Sequence, residues 1–297
     1  MNFKKNAIAC LSFISFTIST NSCINHDLTP SKPVVTLYSH GIADTGPNQV
    51  SGYGKSFIKH NNVYTNKRYL IHTPYVSFNY PDATKRFYRV NWSETSFGQE
   101  NEIGRLHLCY HRTIKKYEDC GIILFGLSRG ASNLSIFAGL HQYDNIKALI
   151  LESPYNTMTE VIESMMNRKG LGWIPVSYGE ALAEFIFKKY TRDGWSPKNC
   201  VDNIPKKTPI LIICSKEDQT VPCYSSINLY KNLVSSGHEH TYILIVDHGQ
   251  HAQILQGPDG EQYQSTVNAF YKKYNLPHCP ISAAKGEAYL ALCQPNL

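Results

Sequence analysis

The sequence predicts an α/β domain: a mostly parallel central sheet, helices on both of its faces, and a small helical cap inserted over the strand ends. Three observations predict it. Short apolar runs rich in β-branched residues recur along the chain, and longer amphipathic stretches separate them. The runs are continuous rather than alternating, so both faces of each strand are to be buried, as in parallel sheets covered by crossover helices. From about residue 157 to 199 the alternation stops and then resumes, which marks an insertion.

Taken in order, Val34 to Tyr38 is the first predicted strand and ends in Ser39-His40-Gly41. Tyr75 to Asn79 is the second, closed by Tyr80-Pro81-Asp82. Glu100 to Tyr117 carries apolar residues at Ile103, Leu106, Leu108, Tyr110 and Ile114, a plausible helical pattern. Ile122 to Phe125 is the third strand, with a helix from Ala131 to His141 behind it. Ala148 to Leu151, Ile210 to Cys214 and Tyr242 to Val246 are buried-type strands. Helices over Ser225 to Val234 and Gln264 to Tyr274 follow the last two. The insertion reads as two helices, Met158 to Asn167 and Glu180 to Tyr190, around a Gly-Pro-rich turn at Gly170 to Pro175. Its apolar and aromatic residues exceed what a solvated loop requires. Trp173 and Phe185 are therefore expected to bind substrate as parts of an acyl pocket, while others hold the helices down.

Composition narrows the class. The chain is 42% hydrophobic and 18% charged, as globular proteins are, which excludes a disordered chain. The net charge of +6 is scattered, with no basic run beyond pairs such as Lys115-Lys116 and Lys188-Lys189, so no nucleic-acid partner is expected. At the N-terminus Lys4 and Lys5 precede an apolar stretch from Ala7 to Ile18 and then the polar Ser19 to Cys23, the pattern of a secretory leader. The stretch is short of the roughly 20 residues a membrane span needs. The expected division is a signal peptide at residues 1–22 and a folded domain at 33–297 with the cap at about 157–199. Ser22-Cys23 also resembles a lipoprotein cleavage site, with Thr20 where such sites carry Leu. The expectation is thus an exported protein, periplasmic, secreted or anchored to a membrane through Cys23. Loss of Cys10 and Cys23 with the leader leaves an odd set of cysteines, none at the C-x-x-C spacing of a zinc or redox site. Cys279 and Cys293 are expected to form one bridge.

The most informative stretch runs from Cys120 to Ala131. Here an apolar strand enters Gly126-Leu127-Ser128-Arg129-Gly130 and then a helix. A serine hydroxyl is a weak nucleophile that must be presented to a base at a fixed angle. A sharp strand-to-helix turn flanked by glycines does this, and it aims the amide of Arg129 at a developing oxyanion. A second oxyanion donor is expected from the backbone amide of Ile42, after the His40-Gly41 end of the first strand, with His40 itself bracing the loop. The acid should follow a late strand, where Ile210 to Cys214 leads into Asp218. Glu217 and Glu152 are its alternatives. The base should follow the last strand, in Asp247-His248-Gly249-Gln250-His251. His251 is preferred to His248, because the Gly249-Gln250 step gives the loop room to fold back toward the serine.

With Ser128, Asp218 and His251 in this order, the chain resembles the α/β-hydrolases, in the large group of serine aminopeptidases, lipases, esterases and thioesterases. Gly126 to Gly130, Asp218 to Pro222 and Gly249 to His251 carry the resemblance, which runs from about Val34 to Tyr274. Cys214-Ser215 departs from it where relatives have His-Gly, and Tyr80-Pro81-Asp82 where many have an Arg-Gly turn. The resemblance implies a central sheet of about eight strands and a serine hydrolase that needs no metal or other cofactor and cleaves a carboxylic ester, thioester or amide through an acyl-enzyme, with a small acyl ester or a peptide as substrate. Acyl transfer or peptidase activity on the same fold, and a non-catalytic binding protein, are the rivals. Three triad members in the right order favour the enzyme.

Overall fold

The computed structural model describes residues 33–42, 70–83, 90–118 and 120–294. The predicted leader at residues 1–22, and Cys23 with it, lie outside the described residues. Among the described residues six parallel strands form one sheet in the order β2-β1-β3-β4-β5-β6. They are β1 (Val34–Ser39), β2 (Tyr75–Ser77), β3 (Gly121–Leu127), β4 (Ile146–Glu152), β5 (Ile210–Ser215) and β6 (Thr241–Val246). Each matches one of the apolar runs. About eight strands were expected, a number taken from the fold rather than from any seventh or eighth apolar run in the chain. The order reverses at β1, which lies between β2 and β3, and ligand sites of such sheets gather at the carboxyl ends of the strands there.

The core shows why the strands read as continuous apolar runs. In β3, Ile122 and Leu124 face one layer while Ile123 and Phe125 face the other, and all four are buried. The first layer is closed by α1 (Glu100–Lys116), α2 (Arg129–His141) and α6 (Cys223–Ser235), through Leu106, Phe137 and Leu229 among others. The second is closed by α7 (Gly260–Lys273) and α8 (Pro280–Ala291), through Val267, Phe270 and Leu290. With no solvent-facing side, the strands have no period of two in polarity.

The inserted segment forms α3 (Met158–Arg168), α4 (Val176–Ile186) and the short α5 (Pro197–Cys200). Thr157 caps α3, its side chain accepting a bond from the Glu160 amide. A third cluster joins this segment to loops at the carboxyl ends of the strands. It includes Phe97, Tyr155, Val161, Ile162, Ala183, Tyr190 and Val221, with Ile42 packed against it.

One helix expectation is corrected and one helix is added. α4 begins at Val176, not Glu180, because Pro175 supplies the fixed φ that opens the helix directly. α8 lies beyond the last predicted helix: Pro280 occupies its first turn and it packs on α7, where a Cβ on Gly286 would lie 1.9 Å from the Ser265 carbonyl oxygen. The expected bridge between Cys279 and Cys293 is absent, and both are free thiols. Cys293 is buried and its Sγ donates to the Tyr289 carbonyl, since it closes the end of α8 rather than facing the start of that helix.

Candidate active site

Ser128 stands between the last residue of β3 and the first of α2, at φ 56° and ψ −124°. A non-glycine residue held in so sparsely populated a region stores about 1–3 kcal/mol of strain, which its surroundings must override. Here the Ser128 amide donates to the Glu152 carbonyl at 2.7 Å, and the Ser132 amide donates to the Ser128 carbonyl at 3.1 Å. The flanking glycines permit the turn by their lack of a side chain. A Cβ on Gly126 would sit 2.6 Å from the Ala131 Cα, and one on Gly130 would sit 2.2 Å from the Ser39 carbonyl oxygen.

His251, Asp218 and Ser128 come from three separate loops and meet in one line. His251 Nε2 is 2.8 Å from Ser128 Oγ, and His251 Nδ1 is 2.7 Å from Asp218 Oδ2. A carboxylate only accepts, so Nδ1 carries a proton, and a neutral ring then turns the lone pair of Nε2 toward the serine hydroxyl. The other carboxylate oxygen, Oδ1, accepts the amides of Thr220 and Val221 at 2.8 and 2.9 Å. Burial opposes the charge of Asp218, but His251 and these backbone donors outweigh it and hold the carboxyl below its ordinary range.

The rival base and rival acid pair with each other instead. Exposed His248 reaches Glu217 through Nδ1 at 3.2 Å, and Glu217 also accepts the Gly249 amide at 3.0 Å. Glu152 accepts from the Tyr263 hydroxyl at 2.6 Å, on the sheet face covered by α7. The structure therefore brings together the three residues preferred from the sequence and sets their alternatives apart.

Beneath the elbow lies a charged network that the motif did not announce. The Arg129 guanidinium is 1% exposed and donates to Asp82 at 2.6 Å and to Glu102 at 3.0 Å. It also stacks on Tyr80, 4.5 Å from the ring centroid. Burial opposes its charge, but Glu102 and Asp82 keep it firmly protonated. Asp82 stands in the departure Tyr80-Pro81-Asp82, whose role is thus to supply a partner for Arg129. Glu102 in turn accepts the amides of Ser96 and Gly98, which fixes the loop leading into α1. Its place in the first turn of an amphipathic helix gave no signal of this.

The same network reaches the loop after β1. The Gly41 carbonyl accepts from Arg129 Nη2 at 3.3 Å and from His40 Nδ1 at 2.7 Å. His40 Nε2 accepts the Tyr80 amide at 3.1 Å, which requires a neutral ring. Burial and then the Arg129 charge lower its pKa to about 3. His40 thus braces the loop, as expected. Ile42, half-buried, follows directly.

Trp173 and Phe185, expected in an acyl pocket, are 81% and 79% exposed and border neither of two surface cavities. The inner face of α4 is already filled by Val176, Ala183 and the following Phe187, which turns Phe185 outward. One cavity, of about 190 Å³, is lined by Phe97, Tyr155, Met158, Tyr190, Lys198 and others. Its wall residue Tyr155 is tied to Ser132, one helical turn beyond Ser128, by its amide at 2.9 Å. Among the described residues no group of three or more His, Cys, Asp or Glu is set to hold a metal ion.

Solved structures with this fold include an esterase of Pyrococcus furiosus at 16% identity and a TM-score of 0.55, covering 82% of this chain and 83% of that one. A carboxyl esterase of Bacillus coagulans is 14% identical at a TM-score of 0.53, covering 83% of this chain and 91% of that one. An acylaminoacyl peptidase of Pyrococcus horikoshii is 19% identical at 0.53, covering 83% of this chain but only 37% of its own. No curated protein matches the chain in sequence. Residues 119–276 match the prolyl oligopeptidase family. That match takes in the Ser128 turn, the Asp218 loop and the His251 loop over more than half of the chain, so this protein belongs to the prolyl oligopeptidase family and is a serine hydrolase of the α/β-hydrolase fold.

Proposed function

We propose that the protein hydrolyses a carboxylic ester through an acyl-enzyme on Ser128, with His251 as base and Asp218 as its partner. The unbroken line from Asp218 Oδ2 through the imidazole to Ser128 Oγ carries this reading. His251 Nε2 takes the hydroxyl proton as Ser128 Oγ attacks the carbonyl carbon, and it returns that proton to the leaving oxygen. The same nitrogen then takes a proton from the water that attacks the acyl carbon, and passes it to Ser128 Oγ as the acyl bond breaks and the acid leaves. The amides of Arg129 and Ile42 are the oxyanion donors of this proposal. Arg129 opens α2, so its N–H has no acceptor within the helix. In a trans peptide the Ile42 N–H points opposite to the Gly41 carbonyl, and that carbonyl is clamped toward Arg129 and His40. Each such donor is worth about 3 kcal/mol in the transition state.

Membership of the prolyl oligopeptidase family favours a second substrate class, an aminoacyl or peptide amide, on the same machinery. The proposal also includes export, with the protein periplasmic, secreted or anchored through Cys23. The deciding experiment labels the purified protein with a fluorophosphonate, then compares kcat/KM on p-nitrophenyl esters of graded chain length with that on aminoacyl p-nitroanilides. Absence of label on the wild type, or label that persists in Ser128→Ala, would remove the nucleophile assignment. Preference for the anilides would move the substrate to the second class.

A further inference from the structure

We infer that the outer face of the cap is a docking surface for an anionic lipid membrane. Helix α4 is apolar on both sides, which in a water-soluble protein is the pattern of a buried helix. Yet one side is bare. Tyr178, Leu182, Phe185 and Ile186 fall at i, i+4, i+7 and i+8, one stripe, and are 69%, 58%, 79% and 43% exposed. The turn before the helix adds Trp173 at 81%. Isolated exposed apolar residues are ordinary, but a contiguous patch of this size marks a surface that something else covers.

The charges around the stripe identify what covers it. Arg168 and Lys169 stand at one end, where α3 stops, and Lys188 and Lys189 stand at the other, directly after α4. None of the four makes an ion pair among the described residues. The acidic residues of α4 offset them only in part. Glu180 accepts from Thr159 and lies 4.0 Å from Arg192, and Glu184 is bound by the same Arg192 at 2.6 Å, so both carboxylates are turned onto one arginine within the cap. An apolar helix face with Tyr and Phe, a Trp in the turn before it, lysines and arginine at its two ends, and both of its acids drawn onto Arg192 matches the interface of an anionic bilayer. Such helices lie in the plane of the membrane, consistent with the absence, among the described residues, of any helix long and apolar enough to cross one.

A second copy of the chain is a poorer occupant. A two-fold contact through this stripe would set one basic rim against another. The docking is independent of the chemistry at Ser128 and of any lipid on Cys23. It places the carboxyl ends of the strands, which the cap covers, on the side of the molecule nearer the lipid.

The test is co-sedimentation of the full chain with vesicles of phosphatidylcholine alone or with one third phosphatidylglycerol. It is run on wild type, on a Tyr178→Gln/Leu182→Gln/Ile186→Gln variant and on a Lys188→Gln/Lys189→Gln variant. All three carry the same N-terminus, so a leader or anchor adds equally to each, and unchanged thermal melts show that each is folded. Wild type should bind the anionic vesicles at least tenfold more than the neutral ones. The triple variant should lose at least tenfold of that binding, and the lysine variant should lose severalfold at low salt and little at high salt. Equal binding by all three, or none by wild type, overturns the inference. So does a wild type that sediments as a dimer while the triple variant is monomeric, which would make the stripe a contact between copies.

Discussion

Replacing Asp218 by Asn tests the site in a way the geometry makes unambiguous. The Oδ1 position accepts two backbone amides, at 2.8 and 2.9 Å, so it must remain an oxygen. The new NH2 group is then forced to the Oδ2 position, 2.7 Å from His251 Nδ1. Two donors cannot face each other, so Nδ1 gives up its proton and the neutral ring carries it on Nε2. That nitrogen lies 2.8 Å from Ser128 Oγ and can no longer accept the hydroxyl proton. The loss expected of a wrong tautomer with intact geometry is on the order of 10⁴-fold in kcat, about 5.4 kcal/mol. The assay is kcat on a p-nitrophenyl ester near pH 7.5, with the fluorophosphonate labelling rate as a substrate-independent measure and a thermal melt as the folding control. A folded Asp218→Asn protein within tenfold of wild type would refute the reasoning, because the acid would then lie elsewhere.

Other expectations follow from the same structure. Ser128→Ala should abolish turnover and labelling without unfolding the chain, whereas His248→Ala and Glu217→Gln should keep most activity, since these two bind each other at the surface; steady-state rates decide between them. Arg129→Met keeps the backbone amide but leaves Asp82 and Glu102 buried without their cation, which should cost about 3–5 kcal/mol in a denaturant titration. Its residual kcat should also fall, because the Gly41 carbonyl loses a clamp. kcat/KM should decline on acidification as His251 gains a proton and can no longer accept the one on Ser128 Oγ. Asp218 does not contribute to that limb, because its carboxyl is held below the ordinary range and stays ionised there. The sign for stability is separate. A carboxyl whose folded value lies under the unfolded one of about 3.9 stabilises the fold above that pH and loses this contribution as pH falls through the folded value. Acid unfolding of Asp218→Asn should therefore show a shallower pH dependence than that of wild type.

The sheet was legible because a strand buried on both faces must be apolar at every position, and Ile210 to Cys214 or Ile122 to Phe125 admits no other reading. The elbow was legible because its backbone tolerates only small neighbours, which writes Gly126 and Gly130 into consecutive sequence around Ser128. Asp218 and His251 were found by their place after particular strands, since parallel topology gathers those strand ends at one edge. Local signals were weaker where two solutions cost nearly the same. The start of α4 depended on whether Pro175 closed a turn or opened a helix, and α8 on whether Pro280 ended the domain or began an element. What no local pattern carried was contact between distant residues. Asp82, Glu102 and Arg129 converge from three unrelated segments, and each alone reads as an ordinary surface charge until the fold buries all three. The outward turn of Phe185 and Trp173 was equally hidden, because composition counts apolar residues but only packing decides which of them find a neighbour. Local sterics and burial periodicity are properties of consecutive residues, and the sequence determined what rests on them. Charge pairing and the choice between covered and bare apolar faces depend on which surfaces meet, and the tertiary structure alone decided those.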